Sequence, residues 1–390
     1  MKALYSIAIA ILLLPFAAIG QEQIDYQAIS RIKQEGLENS KIEEIAFNLT
    51  DVSGPRLSNS PGLMRASEWA IEEMKKWGMK NAKLEAWGEF GKGWEVERSY
   101  LAMTEPYYMP FIAVPKAWTG STDGEISGEV ILVEIEEEED FEKYRGKLKN
   151  KIILVANDYD LTATMEPDGN RYSDEELKDM EKYPTSSGGE GSYAERIARW
   201  RAMREFRNKV NDFMASEGAA LTLNARRGRH GTVFTSNGAS YAGDAPIAGA
   251  EFEVAPEFTN MMKRLIEAGK TVKVEAEIET KFYDKDLNGY NVIAEIPGTD
   301  PELSDEVVMI GGHLDSWHGS TGATDNASGC AVMMEAARII QTLDLKPRRT
   351  IRVALWTGEE QGIHGSRNYV KNHFGDRETM TLTEEHEKLS

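Results

Sequence analysis

Cysteine is almost absent: the 390 residues contain one, Cys330, so no disulfide can form within the chain. Stability must come from core packing, a metal or a ligand. Cys330 lies in an apolar helical stretch and reads as a small buried residue. Positive charge is scarce too. Against 65 acidic residues stand 45 basic ones, a formal charge of -20, which argues for solubility and for no nucleic-acid partner. Past residue 20 no stretch is apolar enough for a membrane span. The one long apolar run, Ile7 to Ile19, follows Met1-Lys2 and falls short of the ~20 residues a span needs. Ala18 and Gly20 precede Gln21 as a small-x-small cleavage site would, so residues 1–20 read as a secretory signal. No cysteine stands there to carry a lipid anchor. The protein is expected to be secreted, periplasmic or extracellular after signal cleavage. No internal repeat is evident.

What is present suffices for two domains, since 41% of the residues are hydrophobic. Residues 23–77 follow a helical pattern, with Ile24, Ile29, Ile32 and Leu37 as a first stripe. A second helix starts at Ser60-Pro61, Ser as cap and Pro at the first helical position. It buries Leu63, Ala66, Trp69, Ala70 and Met74 and stops at Gly78. Ser53 to Asn59 is a loop of turn formers. Two apolar runs, 129–133 and 151–155, read as buried strands. Residues 162–191 read as loop, and a long helix over 193–216 carries Ile197, Trp200, Met203, Phe206, Val210 and Phe213 as its core stripe. Arg196, Arg199, Arg201, Arg204 and Arg207 line its other side, and Arg226-Arg227-Gly228-Arg229 follows. This basic zone either neutralises nearby acid or forms a docking surface. β-texture continues over 271–282. After Asn288 strands (291–296, 306–314, 350–356) alternate with helices (326–343, 362–374), implying an α/β layer fold with a largely parallel sheet.

In open α/β sheets, functional residues gather where strands end. His313 and Asp315 stand at one strand end, Glu359 and Glu360 at another, and Asp325 where the returning helix starts. Imidazole and carboxylate together suit zinc. Asp315 is placed to orient His313, Asp325 to bridge two metals, and one of the two glutamates to take a proton while the other binds metal. Each residue alone has a plainer reading: Asp325 as a helix cap, the glutamates as a solvated strand end, His313 as a hydrogen-bonded core residue. All of those readings would have to hold together.

His313-Leu314-Asp315-Ser316, the run from Gly322 to Gly329 and the run from Trp356 to Ser366 resemble the co-catalytic zinc exopeptidases of metallopeptidase family 28. Gly54-Pro55-Arg56-Leu57 with Ser60-Pro61-Gly62 resembles the carboxypeptidase Q-like members, and the β-rich middle resembles their inserted protease-associated domain. The resemblance implies a zinc-exopeptidase-like α/β/α layer domain interrupted by that insertion. It divides the chain into the signal at 1–20, an amino-terminal peptidase segment at 21–110, the insertion at 111–283 and the resumed peptidase domain at 284–390. Two Zn2+ ions per complete site are implied, His313 on one, Glu360 on the other and Asp325 between them. Glu359 would be the general base and Asp315 the residue orienting His313, and the peptide Asp325-Asn326 would be cis. The substrate implied is a peptide or dipeptide cleaved at one end, and a homodimer is the assembly the family allows.

A further acidic ligand and a histidine are implied beyond Glu360. The sequence offers there only Asp376, Glu378, Glu384, Glu385, Glu387, His364, His373 and His386. The domain is thus expected to be cut short, with an exposed edge on its last strand. A non-catalytic scaffold and a fragment of a longer gene product stay open beside the enzyme.

Overall fold

Two sheets organise the chain in this computed structural model, which describes residues 24–156, 158–167, 169–182, 193–376 and 379–383. The signal read at 1–20 and the acids and histidine at Glu378, Glu384, Glu385, His386 and Glu387 lie outside the described residues. Helices α1 (Tyr26–Glu38), α2 (Ile42–Phe47) and α3 (Pro61–Lys76) lead into β1 (Lys80–Glu89). Next come β2 (Gly93–Glu105), β3 (Met109–Pro110), β4 (Ala113–Pro115), β5 (Ile126–Val133), α4 (Phe141–Tyr144) and β6 (Ile152–Val155). They are followed by α5 (Asp174–Met180), α6 (Tyr193–Ser216), β7 (Leu221–Asn224), β8 (Glu251–Val254), α7 (Pro256–Glu267) and β9 (Lys273–Tyr283). The remainder is β10 (Asn288–Ile296), β11 (Val307–His313), α8 (Ser328–Thr342), β12 (Thr350–Trp356), α9 (His364–His373), β13 (Gly375–Asp376) and β14 (Thr381–Leu382).

The first sheet runs β1-β10-β12-β11. Ile45, Leu63, Ala66, Ala70 and Met74 from α2 and α3 and Ala331, Met334 and Ala337 from α8 cover one face, on Val292, Ala294, Val353 and Leu355. Tyr369 of α9 covers the other, on Ile293, Ala354 and Trp356. The layering is α/β/α. Helix α3 starts as its sequence dictates: Ser60 Oγ accepts the Leu63 N–H at 3.3 Å and Pro61 occupies the first turn. No residue of α1 is buried, so its predicted stripe stays at the surface.

The sheet is mixed rather than largely parallel. Only β11 and β12 are parallel, joined by the α8 crossover; β1–β10 and β10–β12 are antiparallel. The reason is that β12 inserts between β10 and β11, and β10 arrives from the second sheet running against it. The exposed edge accordingly belongs to β11, not to the last strand of the layer. Val307, Val308 and Met309 stand exposed along it.

The second sheet runs β3-β2-β9-β5-β6-β7-β8-β4. Its centre, β5-β6-β7-β8, is parallel, because long crossovers, helical or looped, rather than hairpins connect successive strands. Phe213 and Met214 of α6 pack on Val133, Leu148 and Ile153. Met262 of α7 packs among Leu101, Met103, Ile152 and Val274. Met203, placed in the α6 core stripe by its spacing, is exposed; the side chains of Arg196, Ile197, Trp200, Arg201, Arg204 and Arg207 lie outside the description. Strand β2 pairs with β9 from Gly93 onward, so residues 93–110 join the second sheet instead of the amino-terminal segment.

The two sheets share one antiparallel ribbon. Glu89 of β1 faces Asn288 of β10, and Gly93 of β2 faces Tyr283 of β9, leaving only residues 90–92 and 284–287 as the step between ladders. Aromatic residues fill the junction: Trp87, Phe90, Trp94 and Trp118 are buried together, with Tyr241 and Trp317 against them. Each buried indole N–H has an acceptor: Trp87 uses Thr357 Oγ1 at 2.9 Å, Trp94 uses Thr119 O at 2.9 Å and Trp118 uses Lys92 O at 2.8 Å. His318 Nε2 lies 2.6 Å from Pro115 O in the same seam. Burial pushes its imidazole pKa down to about 4, so the ring is neutral and Nε2 donates.

Candidate metal centre

The parallel register places His313 of β11 opposite Trp356 of β12. Both strands therefore end at the same border of the sheet, and the residues just after each emerge side by side. The turn after β12 needs Gly358, whose φ is 69°, and it delivers Glu359 and Glu360. The loop after β11 delivers Asp315 and then Asp325. Here Gly322 has a φ of 57°, and a Cβ on it would lie 2.3 Å from that of Ser316.

Three separated segments thus converge. One ligand atom each from His313, Asp325 and Glu360 lies within 4.8 Å of the others. His313 Nε2 is 2.8 Å from Asp325 Oδ1 and 3.9 Å from Glu359 Oε2. The peptide Asp325-Asn326 is cis. Asp325 sits in an irregular turn over Ala323–Ala327, so α8 begins at Ser328, not Asn326. Asp325 does not cap it: Asn326 Oδ1 accepts the Gly329 N–H at 3.2 Å.

Asp315 meets His313 differently from the expectation. His313 Nδ1 is 3.1 Å from the main-chain oxygen of Asp315, while the carboxylate stands at 3.7 Å, beyond hydrogen-bond length. The carboxylate acts through its charge. It is fully buried; Oδ2 accepts the Glu360 N–H at 3.1 Å and lies 3.2 Å from Ser58 Oγ, whereas Oδ1 has no hydrogen-bond partner in the protein. Asp315 therefore ties the β12 turn to the β11 end. Beneath His313, the Cys330 thiol donates to the His313 carbonyl at 3.1 Å. Burial raises that thiol to about 12, so it stays protonated, in keeping with a small buried residue.

Arg56 holds the surrounding loops. It is fully buried and donates from Nε to Leu314 O at 2.7 Å, from Nη1 to Leu49 O at 2.8 Å and also to Thr321 O, and from Nη2 to Gly322 O at 2.9 Å. One guanidinium thereby fixes the residue after His313 and the turn before Asp325. Burial pulls its pKa below the ordinary arginine value, and the neighbouring Asp315 opposes that pull.

The electrostatics ask for a cation. Asp315, Asp325, Glu359 and Glu360 surround one imidazole. Burial and the charges of Asp325 and Asp315 push Glu360 up to about 7. Burial by itself would lower His313, but Asp315, with Glu359 and Asp325, raises it to about 9. Neighbouring carboxylates raise both groups, with burial the larger cause at Glu360. Imidazole and carboxylate are the donors zinc prefers, and their convergence from three segments, around an acid surplus that a divalent ion would relieve, fits such a metal.

The other candidates after Glu360 point elsewhere. His364 Nε2 lies 3.3 Å from the Tyr241 hydroxyl, its ring stacked on Trp87. His373 pairs with Glu85 at 2.8 Å, and Asp376 with Lys371 at 2.9 Å. Among the described residues, the candidate metal group is His313, Asp325 and Glu360.

Asp325 and Glu360 line a cleft of about 680 Å3 that Arg226, Arg227, Phe234 and Trp317 also line. Ser58, Trp317 and the arginine pair lie outside the metal-site motifs. Only the turn-rich loop around Ser58 and the basic run at 226–229 carried any signal in the sequence.

Residues 291–383 match peptidase family M28. The chain is 26% identical over 376 residues to carboxypeptidase Q of Mus musculus, covering 95% of this chain and 70% of that relative. Carboxypeptidase Q of Bos taurus is 36% identical over 132 residues, which is 34% of this chain but only 27% of the bovine protein. The crystal structure of a peptidase M28 precursor from Shewanella amazonensis SB2B shares the fold, with a TM-score of 0.56 at 22% identity, over 89% of this chain and 70% of that one.

Proposed function

We propose that the chain belongs to peptidase family M28, whose model matches residues 291–383, and that it is a zinc-dependent exopeptidase acting on peptides or dipeptides. The observation that carries the proposal is the meeting of His313, Asp325 and Glu360 within 4.8 Å, with Glu359 beside them. In this reading His313 and Glu360 would hold zinc, and Asp325 would be the ligand shared if two ions bind. Bound zinc supplies a Lewis acid that polarises a carbonyl and makes a water more acidic. Glu359 takes the proton of the attacking water at its carboxylate and delivers it to the leaving amine. Asp315 holds the His313 ring through its main-chain oxygen and keeps the Glu360 turn in place through its carboxylate. The aromatic seam beside the cleft excludes water from one side of the site. The second lobe is the protease-associated insertion, and the protein works outside the cell after signal cleavage.

Elemental analysis of the dialysed protein, combined with dipeptide hydrolysis, tests this. Glu359→Gln is expected to keep its zinc and lose about 100- to 10,000-fold in turnover. Zinc loss in that variant would make Glu359 a ligand, and a wild type without zinc affinity would defeat the reading. A stoichiometry of two ions supports Asp325 as a bridge; one ion would place all three side chains on it.

A further inference from the structure

We infer that Arg226 and Arg227 form an anchor for the free terminal carboxylate of a peptide whose scissile bond lies over the His313, Asp325 and Glu360 group. The inference rests on the exopeptidase reading of the same site and adds to it which end of the substrate is recognised.

The two arginines follow β7 directly and line the same cleft as Asp325 and Glu360. Both are exposed, and neither has an ion-pair partner among the described residues, although the chain carries 65 acidic residues. One cleft therefore gathers charges of both signs, the carboxylates of Asp325 and Glu360 and the two guanidinium groups. Their positions are built rather than incidental. The Tyr159 hydroxyl donates to the carbonyl of Ala225, fixing the backbone just before Arg226. The Arg227 guanidinium lies 4.8 Å over the Phe234 ring, which holds its plane while leaving its N–H groups available. A planar guanidinium matches a carboxylate in two parallel hydrogen bonds.

Size fits as well. One residue of extended chain spans roughly 3.3–3.6 Å, so a cleft of about 680 Å3 has room for a short peptide. An internal peptide segment would bring no charge to the arginines. A free carboxyl terminus would. Phe234, Trp317 and Val233 in the same cleft offer apolar surface to the side chain of the terminal residue.

The test compares Ala-Leu with Ala-Leu amide as substrates, and their uncleavable reduced-bond analogues as ligands by calorimetry, on the zinc-loaded full chain. Wild type should favour the free acid by about 10- to 100-fold in both kcat/KM and Kd, the range of a charge-assisted hydrogen bond. R226Q/R227Q should erase that preference, mainly through KM, while its zinc content, melting temperature and affinity for the amide stay at wild-type values. Equal treatment of acid and amide by wild type would overturn the anchor, as would a preference that survives R226Q/R227Q. A preference for amides bearing an acidic side chain over Ala-Leu would overturn it too. The two readings separate cleanly. Acid-selective binding without hydrolysis of any peptide keeps the anchor and defeats the exopeptidase, whereas indiscriminate hydrolysis does the reverse.

Discussion

Replacing Arg56 by methionine tests how the loops around the candidate metal centre are held. Methionine follows the aliphatic stem of arginine, so little cavity opens, and the loss is one of donors. Four carbonyls lose a partner: Leu314, Leu49, Thr321 and Gly322. Gly322 O keeps the Ala327 N–H at 3.1 Å, and Thr321 O is only partly buried, so water can serve it. Leu314 O and Leu49 O are left in buried surroundings, at roughly 1–3 kcal/mol each. Removing a buried cation recovers some desolvation energy, but it also strips Asp315 of a compensating charge. The balance is a destabilisation of about 3 kcal/mol, read as a lower midpoint in urea with the slope unchanged. Zinc affinity should fall as well, because Leu314 adjoins His313 and the 321–322 turn sets Asp325. Arg56→Lys keeps the charge but has one nitrogen for four acceptors, so it should recover less than half. A change under about 0.5 kcal/mol in R56M, the size of an ordinary surface substitution, would show that the guanidinium does not hold these loops. Full recovery in R56K would show that charge, not the fork of donors, is what matters.

Arg338 bonds Glu335 at 2.7 Å and Glu35 at 2.9 Å, tying α8 to α1. Burial raises Glu335, but Arg338 and the Lys41 N–H more than reverse this and leave its pKa below the usual carboxylate value. A depressed folded pKa gives stability that is whole above the unfolded value of ~4.3 and vanishes as pH falls through the folded one. Arg338→Met should therefore cost about 2–3 kcal/mol at pH 7, and its gap from wild type should shrink in denaturant titrations below pH 4; a constant gap would contradict the assignment. Val308→Lys on the exposed β11 edge should reduce concentration-dependent self-association in light scattering with stability within ~0.5 kcal/mol, and unaltered association would mean that the edge is not the sticking surface. Trp118→Ala should cost about 3–5 kcal/mol and split one calorimetric transition into two, since Trp118 fills the seam between lobes; a single shifted transition would show that other contacts couple them.

The candidate metal group was legible because each of its residues stands where an apolar run breaks into a turn, and strand ends of an α/β layer share a border. His313, Asp325 and Glu360 needed only that rule to be brought together. The strand directions were not legible. Alternating strands and helices suggest parallel neighbours, yet β12 slips between β10 and β11, a choice made by packing of the apolar faces. Arg226 and Arg227 come to line the same cleft as Asp325 and Glu360 only through the junction of the two lobes, and no local pattern encodes a proximity across so many residues. The stripe on α1 shows the opposite failure: correct spacing, but no layer above it to bury Ile29, Ile32 and Leu37.

The ribbon through both lobes bears on the order in which the molecule assembles. Strands β1 and β10 are partners in space but lie about 200 residues apart along the chain. Closing so long a loop from the unfolded state costs roughly 3–4 kcal/mol more than closing a short one, by the logarithmic dependence on loop length. Once β2 has zipped onto β9, Gly93 already faces Tyr283, and only residues 90–92 and 284–287 separate Glu89 from Asn288. The second lobe is then a template: folding it first turns the most distant pairing of the first lobe into a nearly local one. The candidate metal centre, which needs β12 seated against β10, would form after the lobe that contributes no ligand to it.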